Sequence, residues 1–505
     1  MSSTSDTSET SATTTILLSA FSLYIAYSIA VVIYNIKFHP LSKFPGPSSR
    51  AGSFFTFYQH LFLGSEARDI KKLHDEYGEV VRIAPDSLSF NSANAWRDIA
   101  GVGQDKKQLR KDPRFYLADI SYEQPGIMSA NDEAHSRIRK SFSHAFSDAA
   151  LREQEPILNN YFDLFIQRLK DQIDGPSAGK VDIVSWLNFC TFDIIGDLIF
   201  GEPFHALETG TYDAWISNIF QNVKFIALMR FGAHFKTVGK VFGTILGSIP
   251  AVQRAQSEHV NYTTVRVAKR LDTKTERKDF ITYIMRHNDE RGVSREEIYS
   301  TTGTVVIGGS ETSATLLSGA LYHLLQNPEI FSKLKDEVRS AFSSAGDFSL
   351  QSTGQLPYLR AVIEEALRIY PPVPTLLPRI TAPEGNTISG YFVPGNTTVG
   401  VHQWSTYQST RNFANPEKFV PERWLETHPA EYASDNKAAC QPFSVGPRNC
   451  IGKNLAYSEM RSILARLVWH FEIELCAESA DWMARQNVFI LWEKPALMLK
   501  LSQRK

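Results

Sequence analysis

Residues 443–452 read Phe-Ser-Val-Gly-Pro-Arg-Asn-Cys-Ile-Gly and set one cysteine in a loop between two glycines. That cysteine, Cys450, follows Arg448 by two positions and lies between Gly446 and Gly452. A cysteine binds a metal as the thiolate, and backbone N–H groups and a neighbouring cation stabilise the negative charge. Because glycine lets a chain bend sharply, this segment predicts a loop that offers a single thiolate to a metal.

The other residues of the segment fit a haem iron. The Phe443 ring can cover the sulfur and exclude water, and the Arg448 guanidinium can pair with a haem propionate. The alternative without metal binding is a buried structural cysteine in an ordinary loop. Cys190, Cys440 and Cys476 lack such surroundings, and none of the four cysteines forms a C-x-x-C or Cys/His cluster. This argues against zinc and against a disulfide framework.

The spacing Phe-x-x-Gly-x-Arg-x-Cys-x-Gly resembles the haem-binding loop of the cytochrome P450 superfamily. The resemblance implies haem b (iron protoporphyrin IX) as the cofactor and Cys450 as the metal ligand. It places Phe443, Gly446, Arg448 and Gly452 in the cofactor-binding site. It also implies the cytochrome P450 fold, which is mainly α with a minor β region.

Composition limits what the chain can bind. Its 505 residues are 43% hydrophobic and carry a formal net charge of −1. There is ample material for a core, and no global basic field favours nucleic acid. We expect no nucleic-acid partner, and attraction to a membrane has to come from a local segment.

That local segment is Ile16–Tyr34, which is apolar apart from scattered Ser and Tyr. At about 1.5 Å per residue it reaches roughly 28 Å, enough for a hydrocarbon core, so we predict one N-terminal transmembrane helix. A cleavable signal peptide is the alternative, but residues 1–15 contain no Lys or Arg to form a positive leader.

Lys37 and Lys43 follow the apolar segment, and the positive-inside rule therefore places the bulk of the chain in the cytosol. We expect two parts: a luminal tail and transmembrane anchor in residues 1–35, and a catalytic domain in residues 36–505. The expected location is the endoplasmic reticulum membrane, crossed once, with the catalytic domain on the cytosolic side.

Proline and glycine punctuate the rest of the chain. Phe44-Pro45-Gly46-Pro47 predicts a stiff bend between anchor and body, because proline fixes φ and disfavours helix before it. Apolar spacing indicates mostly helices, with breaks at Gly175-Pro176 and in the charged run Asp272–Asp279. Residues Thr387–Val399 alternate like strands around turn residues, so we expect a small sheet beside a helical mass.

Ser294-x-x-Glu297 predicts a capping box, and the helix that it opens can run to Asn327, before Pro328. Near its middle lies Gly308-Gly309. Two glycines inside a helix cost about 1 kcal/mol each relative to alanine. Close approach of a flat ligand is one benefit that could offset this cost.

The next residues are Glu311 and Thr312, and they resemble the oxygen-activating stretch of the family's long central helix, where an acid precedes an alcohol. The resemblance implies that both are catalytic: Thr312 hydrogen-bonds the oxygen being activated, and Glu311 links it to bulk water as a proton relay. The alternative is structural, since a mid-helix threonine can bond back to its own helix and glycines permit tight packing.

Glu365 and Arg368 lie three residues apart on one face of a helix that Pro357 can start. Such pairs are common on solvated surfaces, where they contribute little. Downstream, Pro421-Glu422-Arg423-Trp424 resembles the family's meander motif, whose arginine joins the Glu and Arg in a buried network behind the haem. We therefore assign Glu365, Arg368 and Arg423 to folding and haem retention.

His135 and Arg139 resemble the helix in which a Trp and an Arg, four residues apart, bind a haem propionate. His135 stands where many relatives carry Trp, and a solvated charged face is the alternative. Arg379, after Tyr370-Pro371-Pro372, matches a position that supplies another propionate contact.

Together these motifs resemble a membrane-bound haem-thiolate monooxygenase that inserts one oxygen atom of O2 into a hydrophobic small molecule. Turnover needs two electrons, and no flavin or nicotinamide fingerprint follows the haem loop. The resemblance thus implies an NADPH–haemoprotein reductase as partner, docking on a basic face formed by Lys140, Arg448 and Lys453. Two alternatives remain: a haem-thiolate isomerase or dehydratase that needs no reductase, and a non-catalytic haem sensor.

The substrate pocket, by position in the family, draws on largely apolar segments, which suggests a hydrophobic small molecule. The membrane-proximal layout is similar to fungal secondary-metabolism members such as the isotrichodermin 15-hydroxylase group, which favours a secondary-metabolite intermediate. The pocket segments are Arg114–Met128, Phe220–Phe235, Val305, Gly309, Val373–Leu377 and Val488–Leu491.

Overall fold

The computed structural model of the protein describes residues 6–102, 108–116, 122–222, 224–288 and 292–504. The fold is 59% helical and 9% strand, so the prediction of a mainly α fold with minor β is confirmed. The helices are α1 Asp6–Lys37, α2 Ser48–Gly52, α3 Phe55–Phe62, α4 Glu66–Tyr77, α5 Ala93–Ala100, α6 Asp132–Ser143, α7 Asp148–Asp174, α8 Ile183–Phe200, α9 Ala206–Thr209, α10 Ala214–Asn222, α11 Phe225–His234, α12 Lys236–Gly247, α13 Pro250–Asp272, α14 Phe280–Arg286, α15 Arg295–Gln326, α16 Pro328–Ala341, α17 Leu350–Gly354, α18 Pro357–Ile369, α19 Gln403–Tyr407 and α20 Lys453–His470.

The strands form one larger sheet, one three-stranded sheet and two hairpins. The larger sheet has the order β1-β2-β8-β5-β3, the three-stranded sheet the order β4-β12-β9, and β6-β7 and β10-β11 are the hairpins. The strands are β1 Val80–Ala84, β2 Ser87–Phe90, β3 Arg110–Lys111, β4 Lys180–Asp182, β5 Arg379–Ile380, β6 Asn386–Ile388, β7 Tyr391–Val393, β8 Thr398–Val401, β9 Phe471–Leu475, β10 Asn487–Phe489, β11 Leu491–Glu493 and β12 Met498–Gln503. Strands β6, β7 and the start of β8 lie in the segment predicted to alternate.

The core is built around α15, which packs along α8. Helix α8 is apolar on all sides and almost wholly buried, as expected for a helix in the middle of a large domain. The capping box of α15 is confirmed: the Glu297 N–H donates to Ser294 Oγ at 3.2 Å, and the Ser294 N–H donates to Glu297 Oε2 at 2.9 Å. Arg137 of α6 also donates to both Glu297 carboxylate oxygens, at 2.7 and 2.6 Å, which ties α6 to the start of α15.

The N-terminal apolar segment forms α1, whose residues Thr13–Lys37 are long and apolar enough to cross a membrane and are not buried in the protein. Its last turn is attached to the body. Asn35 Nδ2 donates to the Gly52 carbonyl at 3.0 Å, and the buried Arg82 donates through Nη1 to the Asn35 carbonyl at 2.8 Å. A Cβ at Gly52 would lie 3.0 Å from Val32 of α1. The end of the apolar helix is therefore fixed against α2 and β1.

Glu365 and Arg368 of α18 lie with Arg423 in a network whose side chains are fully buried. Arg368 donates to both Glu365 oxygens at 2.9 and 2.8 Å, and Arg423 Nε donates to Glu365 Oε1 at 3.2 Å. Asp435 accepts from Arg423 Nη1, and Trp424 Nε1 donates to Glu365 at 2.8 Å. Because every charge has an opposite partner, the network can stay ionised away from water.

Substituting one member of this network should be costly. In Glu365→Ala two buried arginines lose their shared countercharge, and we expect the free energy of unfolding to fall by about 3–5 kcal/mol. Denaturant unfolding of the haem-loaded protein measures this loss. Glu417→Ala is the control, since Glu417 is exposed and such changes stay within about 0.5 kcal/mol. Equal stability of the two variants would show that the network does not support the fold.

Candidate active site

The backbone of the cysteine loop fixes the position of Cys450. The Cys450 N–H donates to the Phe443 carbonyl at 2.9 Å, and the Asn449 N–H donates to the Gly446 carbonyl at 3.1 Å. Gly446 has a φ of +77°, and a Cβ there would lie 2.2 Å from the Ala100 carbonyl oxygen. Both the left-handed backbone and the close approach of α5 therefore require glycine.

Gly452 has a different role from the one predicted. Its φ of −86° is accessible to any residue, and a Cβ there would stand 3.7 Å from the Phe146 ring, an ordinary contact. Bending the chain does not require glycine here. What Gly452 contributes is its backbone N–H, which lowers the pKa of the Cys450 thiol.

The surroundings of Cys450 act on its charge in both directions. The thiol is exposed on one side, while protein surrounds it closely elsewhere. Burial raises its pKa, whereas the Gly452 N–H and the charges of Arg139 and Lys453 lower it. Cys450 also precedes α20, whose N-terminal end carries partial positive charge. Burial is the largest of these effects and the pKa stays above its ordinary value, while the Gly452 N–H and the two cations partly offset it in favour of the thiolate, the form that binds a metal.

Arg139 is attached to the cysteine loop. Its Nη1 donates to the Asn449 carbonyl and its Nη2 to Asn449 Oδ1, both at 2.6 Å. Arg139 thus fixes the residue before Cys450 by a two-point contact, and its propionate contact stays a prediction. Phe443 begins the loop, and its ring centre lies 5.1 Å from that of Tyr457.

Three other residues predicted to bind the cofactor, His135, Arg379 and Arg448, lie close enough to one another and to Lys111 for their charges to interact. We call Lys111, His135, Arg379 and Arg448 the cationic cluster. Burial, followed by the Arg448 and Arg379 charges, lowers the pKa of Lys111 to about 6. Burial and the Arg448 charge lower the pKa of His135 to about 3, and burial lowers that of Arg379. His135 is therefore neutral near pH 7, the charged form of Lys111 is disfavoured, and the Arg448 and Arg379 charges repel one another.

Few acidic groups among the described residues balance the positive charge of the cationic cluster. Arg448 donates to Asp132 at 2.7 Å and to the Ala130 carbonyl at 2.8 Å, but its Nη1 is buried without a hydrogen-bond partner among the described residues. A group that brings two carboxylates would satisfy this donor and relieve the repulsion. Haem b has two propionates and an iron that a thiolate binds, so the residues present fit this cofactor.

Lys111 was not predicted from the sequence. It lies on β3, opposite Arg379 of β5, and its Nζ donates to the Met128 carbonyl at 2.6 Å. A two-residue strand carries no periodic signal.

Arg448 was predicted on the reductase-docking face, but its side chain is 3% exposed. Of the three residues predicted there, Lys140 and Lys453 are exposed.

Glu311 and Thr312 lie side by side on α15, but each has another partner. Thr312 Oγ1 donates to the Gly308 carbonyl at 2.7 Å, the back-bonding alternative considered above. Glu311 is buried and forms an ion pair with Lys494. Catalytic hydrogen bonds often form only with substrate bound, so the catalytic roles of Glu311 and Thr312 stay predictions.

The two glycines of α15 face different surroundings. A Cβ at Gly308 would meet nothing within 4 Å, whereas one at Gly309 would lie 2.9 Å from Ile195 of α8. Gly308 therefore borders open space, and Gly309 allows α15 and α8 to pack closely, while its place in the pocket lining stays a prediction. Parts of two other predicted pocket segments, residues 117–121 and 223, lie outside the described residues.

Comparisons with known proteins agree with this architecture. The profile of the family Cytochrome P450 matches residues 46–501. Cytochrome P450 monooxygenase efuB of Hormonema carpetanum is 42% identical over 483 residues, covering 95% of this chain and 95% of its own length. Averantin hydroxylase of Dothistroma septosporum is 40% identical over 482 residues, covering 95% and 90%. Cytochrome P450 monooxygenase FUM2 of Gibberella moniliformis is 39% identical over 472 residues, covering 93% and 99%.

A helical domain with a cysteine loop beside buried basic residues fits a haem-thiolate enzyme. The chain belongs to the cytochrome P450 family. Its relatives at about 40% identity are fungal monooxygenases of secondary metabolism. The chain is accordingly an oxidoreductase with haem as its cofactor, and a monooxygenase role in secondary-metabolite biosynthesis follows.

The cationic cluster gives a prediction about the cofactor. Arg448→Met removes a charged donor, a loss of about 1.5–3 kcal/mol that corresponds to tenfold or more weaker haem binding. Haem transfer to an excess of apomyoglobin measures the dissociation rate. Arg97→Met is the control, because the Arg97 side chain is 76% exposed. Unchanged haem transfer from Arg448→Met would contradict a role for Arg448 in holding the cofactor.

Proposed function

We propose that this cytochrome P450 uses Cys450 as the iron ligand and Glu311 and Thr312 as a proton relay while it hydroxylates a hydrophobic secondary-metabolite intermediate. The observation that carries the proposal is the Cys450 loop, whose backbone is held by its own hydrogen bonds and by Arg139 and which leaves the thiol exposed on one side. Burial raises the pKa of this thiol, and the Gly452 N–H and the charges of Arg139 and Lys453 act against that rise. Thiolate-ligated haem supplies the activation of O2. The remaining steps belong to side chains of this chain.

Arg448, Arg379, Lys111 and His135 would hold the two propionates and orient the ring over Cys450. Gly308 leaves room for a flat ligand beside α15, since a Cβ there would meet no atom within 4 Å. Thr312, one turn further on, would turn its hydroxyl from the Gly308 carbonyl toward the oxygen being reduced. Glu311 would return to Thr312 each proton that Thr312 gives up.

Electrons would come from an NADPH–haemoprotein reductase. Lys140 of α6 and Lys453 of α20 flank the cysteine loop and are exposed, so they are the candidates for a basic docking face that steers an acidic partner. We propose that residues 1–35, which contain most of α1, anchor the chain in the endoplasmic reticulum membrane with residues 36–505 in the cytosol, where such a reductase is found.

The substrate class is proposed from the relatives and the chemistry of the site. One relative is named averantin hydroxylase, and we propose hydroxylation here as well. A haem-thiolate isomerase or a haem sensor has no use for an acid beside an alcohol on α15, so the Glu311 and Thr312 pair favours the monooxygenase. Titration with candidate intermediates, followed by the haem spin-state shift, identifies compounds that reach the site.

The ligand assignment has a direct spectroscopic test. We expect Cys450→Ser to lose the absorbance band that the reduced carbon monoxide complex shows with thiolate ligation, because a neutral serine hydroxyl donates far less charge to the metal. Cys476→Ser, a partly exposed cysteine outside the loop, should keep the band. Persistence of the band in Cys450→Ser would exclude Cys450 as the ligand.

The relay is tested by removing one hydroxyl. With a compound that shifts the spin state, Thr312→Ala should still oxidise NADPH but release hydrogen peroxide in place of most of the product, since a positioned proton carrier contributes about 10²-fold or more. Ser310→Ala is the matched control, because Ser310 makes a similar bond to its own helix, to the Val306 carbonyl at 2.6 Å. Equal product yield per NADPH in both variants would remove Thr312 from the relay.

A further inference from the structure

A buried ion pair connects the catalytic helix to the C-terminal hairpin. Lys494 Nζ donates to Glu311 Oε1 and to Thr315 Oγ1 at 2.7 Å, and Thr315 Oγ1 donates to the same Glu311 oxygen at 3.2 Å. The side chains of Lys494 and Glu311 are 4% and 6% exposed. A pair this deeply buried is maintained by its partners, because either charge alone would be costly to desolvate.

The backbone that carries Lys494 is fixed on both sides. Before it, Trp492 Nε1 donates to the Pro371 carbonyl at 2.8 Å. After it, the Pro495 carbonyl accepts from Trp482 Nε1 at 2.8 Å. The backbone around Lys494 is therefore held in place, and Lys494 sets the position of the Glu311 carboxylate.

The Glu311 carboxylate has one oxygen held and one oxygen free. Oε1 accepts from Lys494 and Thr315, whereas Oε2 is buried with no hydrogen-bond partner within the described ranges. The titratable groups that face this charge from neighbouring segments are Tyr212 and Tyr370. Burial raises the pKa of Tyr212 to about 12 and that of Tyr370 well above its usual value, with the Glu311 charge adding to both. Both tyrosines stay neutral, so Lys494 supplies the countercharge.

We infer that Lys494 is a positioning residue that keeps Glu311 ionised and turns its free oxygen toward the relay, so that Glu311 can accept a proton from water and pass it to Thr312. This inference rests on the proposed relay and adds a residue outside the catalytic helix to it. A solvent proton moves to Glu311 Oε2 and then to the Thr312 hydroxyl as Thr312 gives its own proton to the oxygen being reduced. Glu311 is ionised again at the end, and Lys494 keeps its proton throughout.

The charge state of Glu311 tests the inference without turnover. In protein labelled with 13C-glutamate, the infrared difference between Lys494→Met and the double variant Glu311→Gln/Lys494→Met should show the carbonyl stretch of a protonated carboxylic acid at neutral pH. The same difference between wild type and Glu311→Gln should show carboxylate bands. A protonated Glu311 in the wild type, or an ionised one in Lys494→Met, would overturn the inference.

Unfolding gives an independent readout of the pair. Removing Lys494 alone leaves a buried carboxylate unpaired, whereas the double variant removes both charges. We expect the haem-loaded double variant to be more stable than Lys494→Met. Simple addition of the two single effects would contradict the coupling that the inference requires.

The product yield per NADPH distinguishes a positioning role of Lys494 from a role in folding. With a compound selected by its spin-state shift, we expect Lys494→Met to lose about tenfold of its product yield per NADPH at neutral pH, less than the about 10²-fold that a proton carrier itself contributes, and to recover as the pH rises and Glu311 ionises. Lys494→Arg should retain the wild-type pH profile. Lys500→Met, which removes an exposed lysine of β12, should behave as wild type.

The outcomes distinguish the inference from the proposed function. If Thr312→Ala and Glu311→Gln lose coupling while Lys494→Met matches Lys500→Met at every pH, Lys494 has no positioning role and the relay stands. If Glu311→Gln itself stays fully coupled, the relay is wrong, and the inference is wrong with it.

Discussion

One cysteine sulfur has to remain negatively charged at the edge of an apolar protein interior, and the site is arranged around that requirement. Burial alone raises the pKa of Cys450, and the Gly452 N–H and the charges of Arg139 and Lys453 act against it. Arg139 does so while holding Asn449 at two points. The loop that carries the sulfur is therefore fixed by the same groups that stabilise its charge.

Helix α15 has to serve both packing and chemistry. Its length and its glycines let it lie against α8, where Gly309 permits close contact with Ile195. One residue earlier, Gly308 faces open space, and the polar pair Glu311 and Thr312 follows. A carboxylate at this depth is paired with Lys494, so the proposed chemistry of the helix depends on a residue 183 positions away in sequence.

Local patterns predicted the features that depend on residues near in sequence. The capping box of α15, the apolar helix α1, the strands near residue 390 and the cysteine loop each have a short signature, and each is present. The chain could not reveal which side of α15 each glycine faces, because that depends on how α8 packs. Lys111 and Lys494 were not predicted from the sequence for a related reason. Each is a single lysine in a short strand or loop, and its partners come from distant segments. The buried position of Arg448 likewise follows from α6 lying across the loop.

The account depends most on the bond between Cys450 and the haem iron. X-ray absorption at the iron edge of the haem-loaded, full-length protein measures that bond most directly. The account predicts one sulfur atom in the first coordination sphere of the wild-type iron and its loss in Cys450→Ser. A wild-type iron surrounded by nitrogen and oxygen alone would contradict it.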